Sequence, residues 1–102
     1  MDMNDILQQA QMMQLELARA QEEIQTITFE ATAGGGMVKA VALGDGTIKS
    51  LEIDPEAVDP DDVEMLQDMV LAAVNAALRG VAEQGEQRMS SVTGGINIPG
   101  LF

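Results

Sequence analysis

Three consecutive glycines, Gly34, Gly35 and Gly36, with Lys39 three residues on, are the part of this sequence most open to a chemical reading. Glycines ahead of a lysine cradle a phosphate when a strand precedes them and a helix opening on Lys-Ser or Lys-Thr follows. The backbone N–H groups then converge on the anion. Here residues 37–43 follow instead, with β-branched Val38 and Val41, and Ala40 stands where a hydroxyl would hold magnesium. The glycines therefore read as a hairpin connection. Further along the same stretch, Asp45-Gly46 reads as a preferred two-residue hairpin turn.

The other candidate chemistry is sparse. The acids of "DPEAVDPDDVEML" recur closely enough to suggest a calcium loop, but Val63 occupies a position where an oxygen ligand is required. Glu22 with Glu23, and Asp61 with Asp62, are sequence neighbours on expected helices, so their carboxylates splay apart. Ser90 and Ser91 have no histidine to activate them, because the chain contains no histidine; it also lacks cysteine, tryptophan and tyrosine. Neither an active site nor a bound cofactor or metal is expected. Eight methionines offer soft contact surface. Met3, Met13 and Met69 fall on core stripes, whereas Met12 and Met65 lie beside them and are the better candidates for partner contact.

At 102 residues the chain holds one small domain, whose modest core would gain from a second copy. Five basic residues stand against seventeen acidic ones, a net charge of −12, and no quarter of the chain is basic. Such acidity favours solubility and repels polyanions at long range. No apolar run approaches a membrane span. No basic residue precedes Arg19, so the start does not read as a signal peptide. A cytoplasmic protein is the expectation.

The elements that position these residues are legible from periodicity. Met3, Ile6, Ala10, Met13, Leu17, Ala20, Ile24 and Ile27 alternate at spacings of three and four, which predicts a first helix with a coiled-coil-like seam. Such a helix is about 35–40 Å long, too long for a domain of this size to cover. "ITFEATA", residues 37–43 and residues 47–53 predict three strands in a meander. Asp59 is the expected N-cap of a second helix, with Pro60 at its first position. Val63, Leu66, Val70, Ala73, Ala77 and Val81 form its buried face, widened by Met69 and Val74. Gly80 and Gly85 imply either close packing or a helix that loosens. The tail, "SSVTGGINIPGLF", carries too many turn residues for regular structure.

In this order the signals resemble the YbaB/EbfC family of bacterial nucleoid-associated proteins. The residues that carry the resemblance are "LQQAQMMQLELARAQEEI", "GGGMVKAVALGDGTIKSLEIDPEAV", "DDVEMLQDMVLAAVNAAL" and the tail "GGINIPGLF". The resemblance implies an α+β fold: a helix, a three-stranded antiparallel meander and a helix, dimeric, with sheets joined at the centre and helices projecting like tweezers. It also implies binding to duplex DNA at the nucleoid, with bending or compaction and effects on gene expression, and neither cofactor nor catalysis; the net charge of −12 and contact through phosphates make that binding weak and non-specific in expectation.

The expected layout is one domain over residues 1–92, with 93–102 a flexible or partner-docking tail. Candidate DNA contacts are Arg19, Lys39, Lys49, Arg79 and Arg88. Candidate dimer contacts are Met13, Leu17, Ile24, Phe29, Val38 and Val41. A second reading is an acidic dimeric adaptor that presents its helices and tail to another protein.

Overall fold

A computed structural model describes residues 2–94. Helix α1 (Met3–Thr26) leads into strands β1 (Thr28–Ala33), β2 (Val38–Leu43) and β3 (Ile48–Ile53). A short 3-10 turn (Pro55–Ala57) then precedes helix α2 (Val63–Gly94). The sheet is an antiparallel meander in the order β1-β2-β3. Ala31 sits opposite Ala40, and Ala40 opposite Leu51. The helix–meander–helix expectation holds.

The three glycines make the first hairpin connection. All three have positive φ (64°, 68° and 92°), a backbone state that residues with a Cβ resist. The second connection differs from the expected two-residue turn. The Gly46 N–H donates to the Leu43 carbonyl, and the Leu43 N–H to the Thr47 carbonyl, enclosing three residues. A type I′ turn would need positive φ at Asp45, and Asp45 does not have it; Gly46 alone in this loop does, at 89°. The Asp45 carboxylate instead accepts from the Thr47 N–H (3.0 Å) and hydroxyl (2.6 Å), locking the loop from outside.

The start of α2 is also corrected. Asp59 closes a turn of its own, its carbonyl accepting from the Asp62 N–H and its side chain from the Asp61 N–H. Pro60 lies in that turn, and Asp62 caps the helix by accepting from the Met65 N–H at 3.2 Å. At the other end α2 continues through Ser90 and Ser91 to Gly94, past the point where turn residues suggested irregular chain and through the expected boundary at residue 92. Residues 95–102, with the tail's apolar Ile96, Ile98, Leu101 and Phe102, lie outside the described residues.

The core is thin and built from small residues. Val38, Ala40 and Ala42 on β2 are buried against Ala73, Ala77 and Val81 on α2. Alanines at these positions let the helix settle close to the sheet. Gly80 takes this furthest, because the ring of Phe29 occupies the space a Cβ would need. Gly85 does the same for Ile24, whose Cγ2 would stand 3.2 Å from an added Cβ. Of the two readings of these helix glycines, close packing is the one realised.

Helix α2 lies across β1 and β2 and then leaves the sheet to pair with α1. The molecule measures 72 × 23 × 15 Å, with a radius of gyration of 20.1 Å. A compact chain of this length would have about 13 Å. Two long helices therefore extend beyond the small sheet. Among the described residues, no helix is long and apolar enough to cross a membrane.

Candidate nucleic-acid interface

The five basic residues occupy different settings. Lys39, at the centre of the sheet's outer face, bridges both neighbouring strands, with Nζ 3.2 Å from Glu30 and 3.4 Å from Glu52. The hydrogen bond to Glu30, then the charge of Glu30, then that of Glu52 hold its pKa above the usual 10.5. The trio carries net negative charge, so Lys39 presents no cationic face. Lys49 on β3 and Arg79 on α2 are exposed and make no ion pair among the described residues.

Arg19 and Arg88 are brought together. They come from α1 and α2 where the helices run side by side, and with Glu16, Ser91 and Val92 they line a cleft of about 470 Å³. The position of Arg88 is fixed by Glu23, whose Oε2 accepts from Nη2 at 2.8 Å and Nε at 2.9 Å. That pair also ties the two helices, although at these exposures it adds little to stability. An arginine using two N–H groups in this way keeps donors free. With Arg19, which makes no ion pair among the described residues, and the Ser91 hydroxyl, they form a polar groove able to take one phosphate.

Glu16 opposes that role, and neither it nor Ser91 was identified as part of this site from the sequence. Ser91 signalled only a nucleophile without a base, since the convergence requires the α1–α2 register. Among the described residues no group of carboxylates is placed to hold a metal ion.

The residues expected at a dimer interface fall mostly within their own chain. Val38 is wholly buried, Phe29 packs on Gly80 and Ile24 on Gly85. Met13 and Leu17 are half-buried along α1, and Val41 is half-buried on the sheet's outer face. The open apolar surface lies elsewhere. Because α2 covers β1 and β2, it leaves the inner face of β3 uncovered, with Ile48, Leu51 and Ile53 about two-fifths exposed. Beside them on α2, Leu66, Val70, Leu71 and Val74 line an apolar groove of about 480 Å³. Nothing in the β3 sequence marks these residues as uncovered, and Ile48 joins Leu51 and Ile53 on this face only through a register shift opposite Val41 and Ala42.

Two long helices joined by a three-stranded meander, with Arg19 and Arg88 sharing a cleft between the helices, define an extended α+β protein. The architecture matches the crystal structure of the uncharacterized protein HP0035 from Helicobacter pylori, with a TM-score of 0.72 and 24% identity, over 91% of this chain and 98% of that one. In sequence the chain is 56% identical to a nucleoid-associated protein of Thermoanaerobacter pseudethanolicus, over 99% of this chain and 91% of the relative. It is 54% identical to a nucleoid-associated protein of Pelotomaculum thermopropionicum, over 99% and 96%. The profile of the YbaB/EbfC DNA-binding family matches residues 1–96. The chain belongs to that family, which is not an enzyme family.

Proposed function

We propose that this protein binds duplex DNA as a homodimer, largely without sequence preference, in the cytoplasm at the nucleoid. The observation that carries the reading is the convergence of Arg19 and Arg88 on one cleft between α1 and α2. A dimer would present two such clefts on separate projecting helix pairs, an arrangement suited to bending or bridging a duplex and so to affecting expression. Contact through phosphates carries no base information, and no aromatic residue other than Phe29, itself in the core, is described that might stack on bases.

Dimerisation is supported by the uncovered inner face of β3 beside the apolar groove of α2, next to a core with a single large fully buried side chain. A second copy seated there supplies the apolar contact that the chain's own helix does not. The reading thus moves the interface from Val38, Phe29 and Ile24 to β3 and the first half of α2. Light scattering across the micromolar range tests the dimer, and anisotropy titration on duplex DNA at two salt concentrations tests the binding. A monomer would overturn the first claim.

The adaptor reading rests on the charge of −12 together with exposed Met12 and Met65. No DNA binding at low salt and high protein concentration would favour it.

A further inference from the structure

The last turns of α2 carry the hydroxyls of Ser90, Ser91 and Thr93, and these lie in different settings. Ser90 lines a mainly apolar pocket with Ile24, Val81, Glu86 and Met89. The Thr93 hydroxyl donates to the Met89 carbonyl at 3.0 Å. Ser91 is exposed and lines the cleft that holds Arg19 and Arg88. Arg88 stands three residues before Ser91, so the two share one face of α2. Ser91 also lies in the final turn, where the last carbonyls lack intrahelical partners and local opening costs least. A modifying enzyme can therefore reach it.

A phosphoryl group on that hydroxyl would meet both arginines. It brings a charge of about −1.5 to −2 at pH 7 and three strong acceptor oxygens. A guanidinium presents its donors as a planar fork that matches phosphate. Arg88 keeps donors beyond the Nε and Nη2 groups that Glu23 uses, and Arg19 makes no ion pair among the described residues. Glu16, Glu23 and the carbonyl end of α2 oppose added negative charge, so the group depends on both arginines. Covalent attachment gives it a high effective concentration in the cleft, and a DNA phosphate must displace it.

We propose that Ser91 is a phosphorylation site whose phosphate seats between Arg19 and Arg88 and closes the cleft to DNA. A serine kinase transfers the group from a nucleoside triphosphate. The Ser91 oxygen bonds to the γ-phosphorus, and the bond from that phosphorus to the β–γ bridging oxygen breaks. The nucleoside diphosphate leaves, and the hydroxyl proton passes to the kinase's base. The effect on DNA rests on the binding reading above; the seating of the phosphate does not.

A serine kinase that requires arginine three residues before its target, supplied with ATP, should modify Ser91 and spare Ser90, which has Gln87 at that distance. Mass spectrometry reads the site, and no phosphate on Ser91 overturns the proposal. Phosphoserine built in at Ser91 during translation should weaken binding to duplex DNA at low salt by about tenfold or more, and phosphoserine at Ser90 by much less. Equal losses at the two positions would reduce the effect to net charge and overturn it. Phosphorus NMR tests the seating without DNA. The second ionisation of the phosphate should fall at lower pH at Ser91 than at Ser90, because the arginines favour the dianion. Arg19→Gln should move it back towards the Ser90 value, and an unchanged midpoint overturns the seating. Failure of the unmodified protein to bind DNA would sink the binding reading and the blocking role with it, while the phosphorus titration still decides whether the phosphate lies on the arginines.

Discussion

The ring of Phe29 on β1 rests on the bare Cα of Gly80 in α2, filling the place any side chain there would take. This contact sets how closely helix and sheet approach. Ala40 and Ala42 on β2, and Ala73 and Ala77 on α2, are small along the same interface. A glycine inside a helix costs about 1 kcal/mol relative to alanine, so its presence here reflects packing that alanine would spoil.

Gly80→Ala should therefore destabilise the protein by about 1–3 kcal/mol, the usual cost of overpacking a core, even after the gain in helix propensity. Gly85→Ala is the contrasting case. Its added Cβ would meet only Ile24 Cγ2 at 3.2 Å, a contact relieved by a shift of a few tenths of an ångström, and the helix-propensity gain of about 1 kcal/mol offsets it, so the outcome should lie near neutrality. Urea unfolding followed by helical circular dichroism compares them. Equal stabilities would show that Phe29 shifts aside without cost.

The glycine turn separates backbone from side-chain effects in the same manner. At Gly35 an added Cβ meets nothing within 4 Å, so Gly35→Ala should cost only the left-handed backbone, about 1–2 kcal/mol. At Gly34 the sulfur of Met69 occupies the Cβ position as well, and Gly34→Ala should cost more. ATP or GTP should leave the melting temperature of the wild type unchanged. A rise of several degrees that Gly35→Ala removes would revive the phosphate-loop reading.

Much of this fold could be read because its repeats are local. The α1 seam, the alternation of Phe29 and Ala31, and the α2 face all follow from spacing within one element. The start of α2 was misplaced because Asp59-Pro60 and Asp62 are both good helix openings, and the choice depends on where the 3-10 turn leaves the chain. The last turns of α2 were missed because pairing with α1 outweighs the poor helix propensity of "SSVTG". Which strand residues the chain's own helix covers was not legible for a different reason. Whether Val38 or Leu51 is covered depends on which strands α2 crosses, and no pattern within a strand encodes that. The Arg19–Arg88 cleft likewise needs the register of two helices more than sixty residues apart.

The hydrogen bonds from Thr47 to Asp45 predict a pH signature. They favour the ionised carboxylate and hold its pKa below the ordinary 3.8. A depressed carboxylate contributes stability that is fully present above its unfolded pKa and is lost as pH falls through the folded one. Asp45→Asn keeps the shape without the charge. The variant should melt below the wild type near neutral pH, and the difference should shrink below about pH 4. A difference constant from pH 7 to pH 3 would assign the contribution to shape alone.

DNA binding should be weak, lost readily with salt, and controlled by the charges around one cleft. If two copies each hold one phosphate between Arg19 and Arg88, two phosphate contacts give a log–log salt slope no steeper than about −1.8. Glu16 in the cleft and the net charge of −12 per chain oppose binding, and salt screens that repulsion too, so the measured slope should be shallower. Arg19→Glu should abolish the signal. Arg19 makes no ion pair among the described residues, so this variant should leave the melting temperature unchanged. Arg88→Glu should abolish binding as well, but it also sets a second carboxylate against Glu23 and should loosen α1 from α2. Lys39→Ala should bind almost as the wild type does, because Glu30 and Glu52 already neutralise Lys39. Glu16→Gln is the most discriminating variant. A unit charge about 4 Å from a phosphate is worth about 1 kcal/mol in water, so its removal should tighten binding by up to about fivefold at low salt. If Glu16→Gln changes nothing while Lys39→Ala weakens binding, the phosphates meet the sheet and not the groove between the helices.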